Sequence, residues 1–172
     1  MPGRSICIHL STNANPLSLM NGISHITFIV RDLERMARFL CEGLGAKEIY
    51  DSGSENFSLS REKFFDLGGV WLAAMQGEPP SGRSYQHVAF SVTESDLPRY
   101  QKRLEALGVE IREPRTRVDG EGSSLYFYDF DNHLFELHTG TLEQRLSRYR
   151  AGHDREVNST SVKPDVAGDG TD

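Results

Sequence analysis

Residues 132–138, NHLFELH, place two histidines and one glutamate within seven positions. Imidazole and carboxylate groups together suit Mn(II), Fe(II), Ni(II) or Zn(II). Because side chains alternate along a strand, Glu136 would face away from Phe135 and Leu137. A charge inside an otherwise apolar strand is costly unless it is paired or bound to a metal. The stretch therefore indicates Glu136 as a candidate metal ligand.

An internal repeat supplies partners for this glutamate. HITFIV, which starts at His25, and HVAFSV, which starts at His87, share His, Phe and Val at the same spacing, 62 residues apart. The two histidines begin equivalent strands, and pseudo-symmetry can bring both to one central cleft. His25, His87 and Glu136 then form a set of two imidazoles and one carboxylate. The first half has Ala73 at the repeat position of Glu136, so a fourth ligand is missing and room remains for substrate or water.

The two histidines beside Glu136 are predicted to stay outside the ligand set. His133 and His138 have no counterparts in the first half, where Val70 and Met75 occupy their positions. We expect both to be surface residues or supports that lie behind the ligands.

The elements that position these residues repeat with them. Each half reads as a strand, a helix and several strands joined by Gly-rich turns, which predicts an α+β fold of two tandem βαβββ modules. The first helix starts after an Asp32 cap, and the second runs from a Ser95 cap to Gly108. The predicted boundaries are about 22–80 and 84–140 for the modules and 141–150 for a short last helix, which opens with a Thr141 and Gln144 capping box.

Composition limits the class of protein and predicts the character of the two terminal segments. The 172 residues carry a net charge of −6 with a pI near 5.5, which excludes a nucleic-acid binder that relies on a basic surface. No run of about 18 apolar residues could span a membrane, and the two isolated cysteines favour a reduced, cytoplasmic protein. Residues 1–19 are expected to be a disordered leader or an over-long start. Residues 151–172 lack Leu, Ile and aromatics, which predicts a disordered acidic tail.

Residues 20–150 resemble the vicinal oxygen chelate superfamily and, within it, the hydrolase branch of the manganese-dependent fosfomycin resistance proteins. The resemblance is carried by NGISHITFIVRDL, FSLSREKFF, SYQHVAF, GEGSSLYFYDFDNHLFELHTGTL and Arg145. It implies the vicinal oxygen chelate fold, with Mn(II) bound by His25, His87 and Glu136. It also implies a homodimer whose modules are exchanged between subunits, so that each site draws ligands from both chains.

The resemblance further implies the substrate fosfomycin, an epoxide phosphonate, and roles for residues around it. Glu62 in LSREKFF would be the general base that takes a proton from the attacking water. Donors to the phosphonate would be Thr27, Ser124, Tyr126 and Arg145, with Tyr85, Arg115 and Arg117 as further candidates. One position departs from the branch, which usually has GEGRS where this chain has Ser123. A cation is thereby removed near the phosphonate pocket, which would lower affinity for the antibiotic or indicate a different native substrate.

Three alternative functions share this fold. Sister enzymes open the same epoxide with glutathione or bacillithiol, and Glu62 favours water over a thiol. Extradiol dioxygenases also use two histidines and one glutamate, usually with Fe(II), and would consume oxygen with catechols. Metal-free drug-binding proteins of this fold would bind the antibiotic unchanged, and the three candidate ligands argue against that class.

Overall fold

The computed structural model describes residues 19–113 and 122–160, with side chains described as far as residue 151. The first half contains β1 (His25–Val30), α1 (Leu33–Arg38, continued by a π-helical stretch Phe39–Leu44), β2 (Lys47–Asp51), β3 (Glu62–Leu67) and β4 (Val70–Gln76). The second half contains β5 (His87–Ser91), a 3₁₀ turn (Glu94–Asp96), α2 (Leu97–Ala106), β6 (Glu110–Ile111), β7 (Ser124–Tyr128) and β8 (Leu134–His138). The helix α3 (Leu142–Thr160) follows.

The strand pairing confirms the two βαβββ modules. The strand orders are β1-β4-β3-β2 and β5-β8-β7-β6, with the first pair in each sheet parallel and the others antiparallel. In the first sheet Ala73 lies between Thr27 and Phe64. In the second sheet Glu136 lies between Ala89 and Tyr126. The register therefore places Ala73 and Glu136 at equivalent positions, as the repeat predicts.

One hydrophobic core joins the two modules. Phe39, in the π-helical continuation of α1, packs against Phe127 and Phe135 of the second sheet with ring centroids 6.1 and 5.2 Å away. All three rings are fully buried, and each burial contributes about 1.5–3 kcal/mol. The Arg103 guanidinium of α2 also donates hydrogen bonds to the carbonyls of Cys41 and Glu42, where the first helix ends. These contacts cover one face of each sheet and leave the other face for the candidate site.

The helix boundaries agree with the sequence at three ends and differ at two. Asp32 caps α1 by accepting a hydrogen bond from the Arg35 backbone N–H, and Gly108 follows α2 with a positive φ of 72°. The predicted Ser95 cap of α2 is wrong, because the 3₁₀ turn makes Asp96 the N-cap and the Ser95 hydroxyl bonds with Thr93. The reciprocal bonds between Thr141 and Gln144 confirm the capping box of α3.

The helix α3 is longer than the predicted 141–150, because it continues to Thr160. The helix therefore extends over 151–160, the first part of the segment for which the composition predicts a disordered tail. A helix that is already nucleated adds residues at little cost, and the first proline beyond it is Pro164. Along the described residues, no helix is both long and apolar enough to cross a membrane.

Candidate functional site

The second sheet presents a polar surface, here called the B face, on the side away from the core. It consists of side chains from β5, β7 and β8, namely His87, Ser124, Tyr126, Glu136 and His138. On β8 the neighbouring Phe135 points into the core and stacks on Phe127 at 5.9 Å. The alternation predicted for NHLFELH is thus observed, and Glu136 faces the polar side although only 4% of its surface is exposed.

His87 and Glu136 form the centre of the B face. The Nε2 atom of His87 lies 3.0 Å from Oε2 of Glu136, and its Nδ1 atom lies 2.8 Å from the carbonyl oxygen of Tyr85. A carbonyl only accepts, so Nδ1 carries a proton and Nε2 is the atom that can bind a cation. Two electron-rich atoms at 3.0 Å need a shared proton or metal between them. The spacing matches neighbouring ligands at about 2.1 Å from an octahedral ion, so this pair fits a metal.

The second oxygen of Glu136 has different partners. Oε1 accepts a hydrogen bond from the Ser124 hydroxyl and lies 3.5 Å from Nδ1 of His138. Burial raises the pKa of Glu136, but the hydrogen bonds from Ser124 and Tyr126, and the attraction of the His138 and His87 imidazoles when they are protonated, outweigh it, so the pKa lies below its ordinary value. The carboxylate is therefore held ionised, as a metal ligand must be.

Two tyrosines border this centre. The rings of Tyr85 and Tyr126 lie 6.2 Å apart, and each packs edge-on against His87, at 5.2 and 5.5 Å respectively. Burial, and then hydrogen bonds with Tyr85 and Glu136, raise the pKa of Tyr126 above its ordinary value. Its hydroxyl therefore keeps its proton and can act as a donor.

The first sheet presents the equivalent surface, here called the A face, which carries His25, Thr27, Trp71, Ala73, Phe64 and Glu62. His25 is exposed at the start of β1, where its ring lies 4.5 Å from Trp71 and its Nδ1 atom 3.2 Å from the Ser24 hydroxyl. Among the described residues, no group of three or more His, Cys, Asp or Glu could hold a metal. Within one chain, His25 is thus not brought to His87 and Glu136.

Glu62 occupies a sheltered position on the A face. It is 9% exposed, and its backbone is held by the Ser52 hydroxyl at 3.0 Å. In register it lies opposite Met75, two positions from Ala73 along β4, just as Ser124 lies opposite His138 and beside Glu136. Glu62 therefore stands next to the position where the first module lacks a carboxylate ligand.

The remaining predicted donors are dispersed. Thr27 lies with His87 on the wall of a cavity of about 270 Å³. Arg145 is half-buried in the first turns of α3. Neither side chain bonds to another side chain or carbonyl among the described residues, so both have donors available. Arg115 and Arg117 lie outside the described residues.

The loop that leads into β7 is fixed by a small polar cluster. The Ser123 hydroxyl donates to Glu94 at 2.6 Å, and the Thr139 hydroxyl donates to the other oxygen of Glu94 at 2.9 Å. The Ser123 backbone N–H in turn donates to the Thr139 hydroxyl at 2.8 Å. At position 123, where the resembled branch has arginine, the side chain therefore points to Glu94, on the opposite side of the strand from Ser124.

The two histidines beside Glu136 have separate surroundings. His133 bonds through Nδ1 to the buried Asp129 carboxylate at 2.7 Å and packs edge-on against Phe28 at 5.2 Å. His138 instead lies on the B face, with Nδ1 2.7 Å from the Ser124 hydroxyl. Strand alternation alone already placed His138 on the side of Glu136, and this signal could have linked it to the site.

Comparison with known proteins finds one superfamily and, within it, relatives that are fosfomycin resistance proteins and a metallothiol transferase. A model of the glyoxalase/bleomycin resistance protein/dioxygenase superfamily matches residues 22–137. The fosfomycin resistance protein FosX of Mesorhizobium japonicum is 57% identical over 134 residues, covering 78% of this chain and 96% of that protein. FosX of Listeria monocytogenes is 53% identical over 131 residues, covering 76% and 98%. The metallothiol transferase FosB of Bacillus licheniformis is 37% identical over 133 residues, covering 75% and 82%.

Solved structures agree with these relatives. A variant of FosX from Listeria monocytogenes, crystallised with Mn(II) and 1S,2S-dihydroxypropylphosphonic acid, matches with a TM-score of 0.70 and 51% identity over 76% of this chain and 99% of that one. FosX from Mesorhizobium loti matches with a TM-score of 0.68 and 54% identity over 75% and 99%. The chain therefore belongs to the glyoxalase/bleomycin resistance protein/dioxygenase superfamily and, within it, to the family of FosX fosfomycin resistance proteins.

Proposed function

We propose that this protein is a Mn(II)-dependent epoxide hydrolase that inactivates fosfomycin by adding water to the oxirane ring. The observation that carries the proposal is the pairing of His87 Nε2 with Glu136 Oε2 at 3.0 Å on the B face. It is supported by FosX relatives that are more than half identical. It is also supported by the Mn(II) and dihydroxypropylphosphonic acid bound to one of them.

We further propose that the metal site forms between two copies of the chain, with the A face of one copy set against the B face of the other. His25 would then complete the set of His87 and Glu136. Two observations support this assembly. Three such ligands do not meet among the described residues of one chain. Large apolar side chains that precede β1 and β3 are also exposed in the single chain, namely Ile23, Phe57 and Leu59, and association of two copies would give them a surface to pack against.

In such a site, each residue has a chemical task. When bound, Mn(II) would polarise the epoxide oxygen and stabilise the negative charge that develops on it. Glu62, sheltered on the A face, takes a proton from water while the water oxygen bonds to an epoxide carbon and the carbon–oxygen bond of the ring breaks. The ring oxygen then takes up a proton, which gives the vicinal diol. Thr27 and Arg145, whose donors are available, bind the phosphonate.

The test is the reaction of Glu62→Gln, followed by phosphorus NMR of fosfomycin with Mn(II). The amide cannot accept the proton, so diol formation should fall about 10²–10⁴-fold while fosfomycin still binds. Glu55→Gln is the matched control, since Glu55 is an exposed glutamate in the adjacent loop and its loss should leave the rate unchanged. Undiminished diol formation by Glu62→Gln would refute the assignment.

A second candidate function is transfer of a thiol to fosfomycin, which the FosB relative at 37% identity favours. The same experiment, run with and without glutathione or bacillithiol, separates the two. Diol without thiol indicates the hydrolase, and adduct only with thiol indicates the transferase. Oxygen uptake with a catechol would indicate a dioxygenase. Antibiotic recovered unchanged from metal-free protein would indicate a binding protein. A cytoplasmic location stays a prediction, which cell fractionation tests.

A further inference from the structure

The Ser124 hydroxyl lies between two groups of the B face and contacts both. It donates a hydrogen bond to Oε1 of Glu136, and its oxygen lies 2.7 Å from Nδ1 of His138. The His138 ring is largely enclosed, with 17% of its side chain exposed. A short row therefore runs from the imidazole through the hydroxyl to the carboxylate.

The protons in this row can be placed by counting. A serine hydroxyl has one hydrogen, and an ionised carboxylate accepts but cannot donate. The hydrogen of Ser124 therefore points to Glu136, and the contact with His138 requires a donor on the other side. Nδ1 of His138 must carry the hydrogen that Ser124 accepts. The row has one direction, from His138 to Ser124 to Glu136.

The two carboxylate oxygens of Glu136 have different partners. Oε1 is turned to Ser124, while Oε2 is turned to Nε2 of His87. Partners behind a metal ligand set its orientation and the affinity of the site. We propose that His138 is a positioning residue that acts through Ser124 to hold Oε2 of Glu136 toward the metal. The inference rests on the proposed metal site. It assigns the hydrogen bond donated by Ser124 to Glu136, whereas the resemblance implied that Ser124 donates to the phosphonate.

The experiment measures Mn(II) binding to the metal-free protein by the electron paramagnetic resonance signal of free Mn(II), with no fosfomycin present. His138→Leu should weaken Mn(II) binding about 10–100-fold. His138→Asn should restore affinity to within about threefold of the unaltered protein, since its amide nitrogen can replace Nδ1 as a donor. His133→Leu is the matched control, because His133 bonds to Asp129 at the other end of β8, and its Mn(II) affinity should be unchanged.

A double-mutant cycle tests whether His138 acts through Ser124. If it does, Ser124→Ala combined with His138→Leu should bind Mn(II) within about twofold of Ser124→Ala alone. If the two substitutions weaken Mn(II) binding by independent factors that multiply in the double variant, the proposal is overturned. It is also overturned if His138→Leu binds Mn(II) as tightly as the unaltered protein. Failure of His138→Asn to restore affinity while its circular dichroism spectrum is unchanged would overturn it as well. These Mn(II)-binding measurements contain no fosfomycin. If the protein binds Mn(II) as expected but does not convert fosfomycin, the proposed function is refuted while the role of His138 is not.

Discussion

Glu62 and Glu136 lie on different sheets, and the proposed assembly makes each site draw one of them from each chain. Glu62→Gln and Glu136→Gln variants, each inactive alone, should therefore complement each other when mixed. In a mixed dimer, one site receives both altered glutamates and the other site receives neither. The second site is then intact.

The expected recovery follows from counting sites. Random association of equal amounts gives about one half mixed dimers, and one of the two sites in each is intact, so about one quarter of the original activity should return. Glu62 and His25 share the A face, so a mixture of Glu62→Gln with His25→Ala should recover nothing. That pair is the matched control.

The assay unfolds and refolds the two variants together, adds Mn(II), and follows diol formation from fosfomycin by phosphorus NMR. Differently tagged chains allow the mixed dimer to be isolated, and its activity should be about half that of the unaltered dimer. If neither mixture recovers activity, each site lies within one chain and the assembly is wrong. If the Glu62 and His25 mixture recovers while the Glu62 and Glu136 mixture does not, the pairing of the faces is wrong.

Three further changes test the fold. Gly122→Ala should lower stability by about 1–3 kcal/mol in thermal melts, because φ is +71° and the new Cβ would lie 2.5 Å from the Gly140 nitrogen; an unchanged melting temperature would contradict the described loop. Phe135→Ala should cost about 3–5 kcal/mol in urea unfolding, since its ring is fully buried; a loss below about 1 kcal/mol would place the ring outside the core. Lys63→Met should cost about 1–2 kcal/mol, because its enclosed ammonium lies 2.8 Å from Asp51 and 3.0 Å from Glu34. Lys63 lowers the pKa of Asp51 below 3.8, so this part of the stability is present above pH 3.8 and is lost as pH falls through the lowered value. The variant should therefore lose less stability on acidification than the unaltered protein, and parallel profiles would contradict the pairing.

The repeat made most of the fold predictable from the sequence. Equal spacing of His, Phe and Val at His25 and His87 indicated two equivalent strands, and the observed registers agree. Strand alternation placed Glu136 opposite the core, where it is found. These features are local, since a strand period and a capping residue depend on a few neighbours along the chain.

The site was less predictable because its contacts are set by packing between elements. The hydrogen bond of His138 with Ser124 depends on how β7 and β8 pair, and no spacing in the sequence gives that register. The cluster of Ser123 with Glu94 likewise depends on the turn before α2. The end of α3 was missed because a lack of large apolar residues does not prevent a helix from continuing.

The separation of His25 from His87 and Glu136 has a thermodynamic consequence in the proposed assembly. If three ligands meet only when two chains associate, metal capture and subunit association are linked equilibria. Each must then strengthen the other by the same factor. Mn(II) would stabilise the dimer, and a chelator would promote dissociation of the two subunits before it unfolded either chain. The concentration of the protein in the cell would then help to decide how much metal each molecule holds.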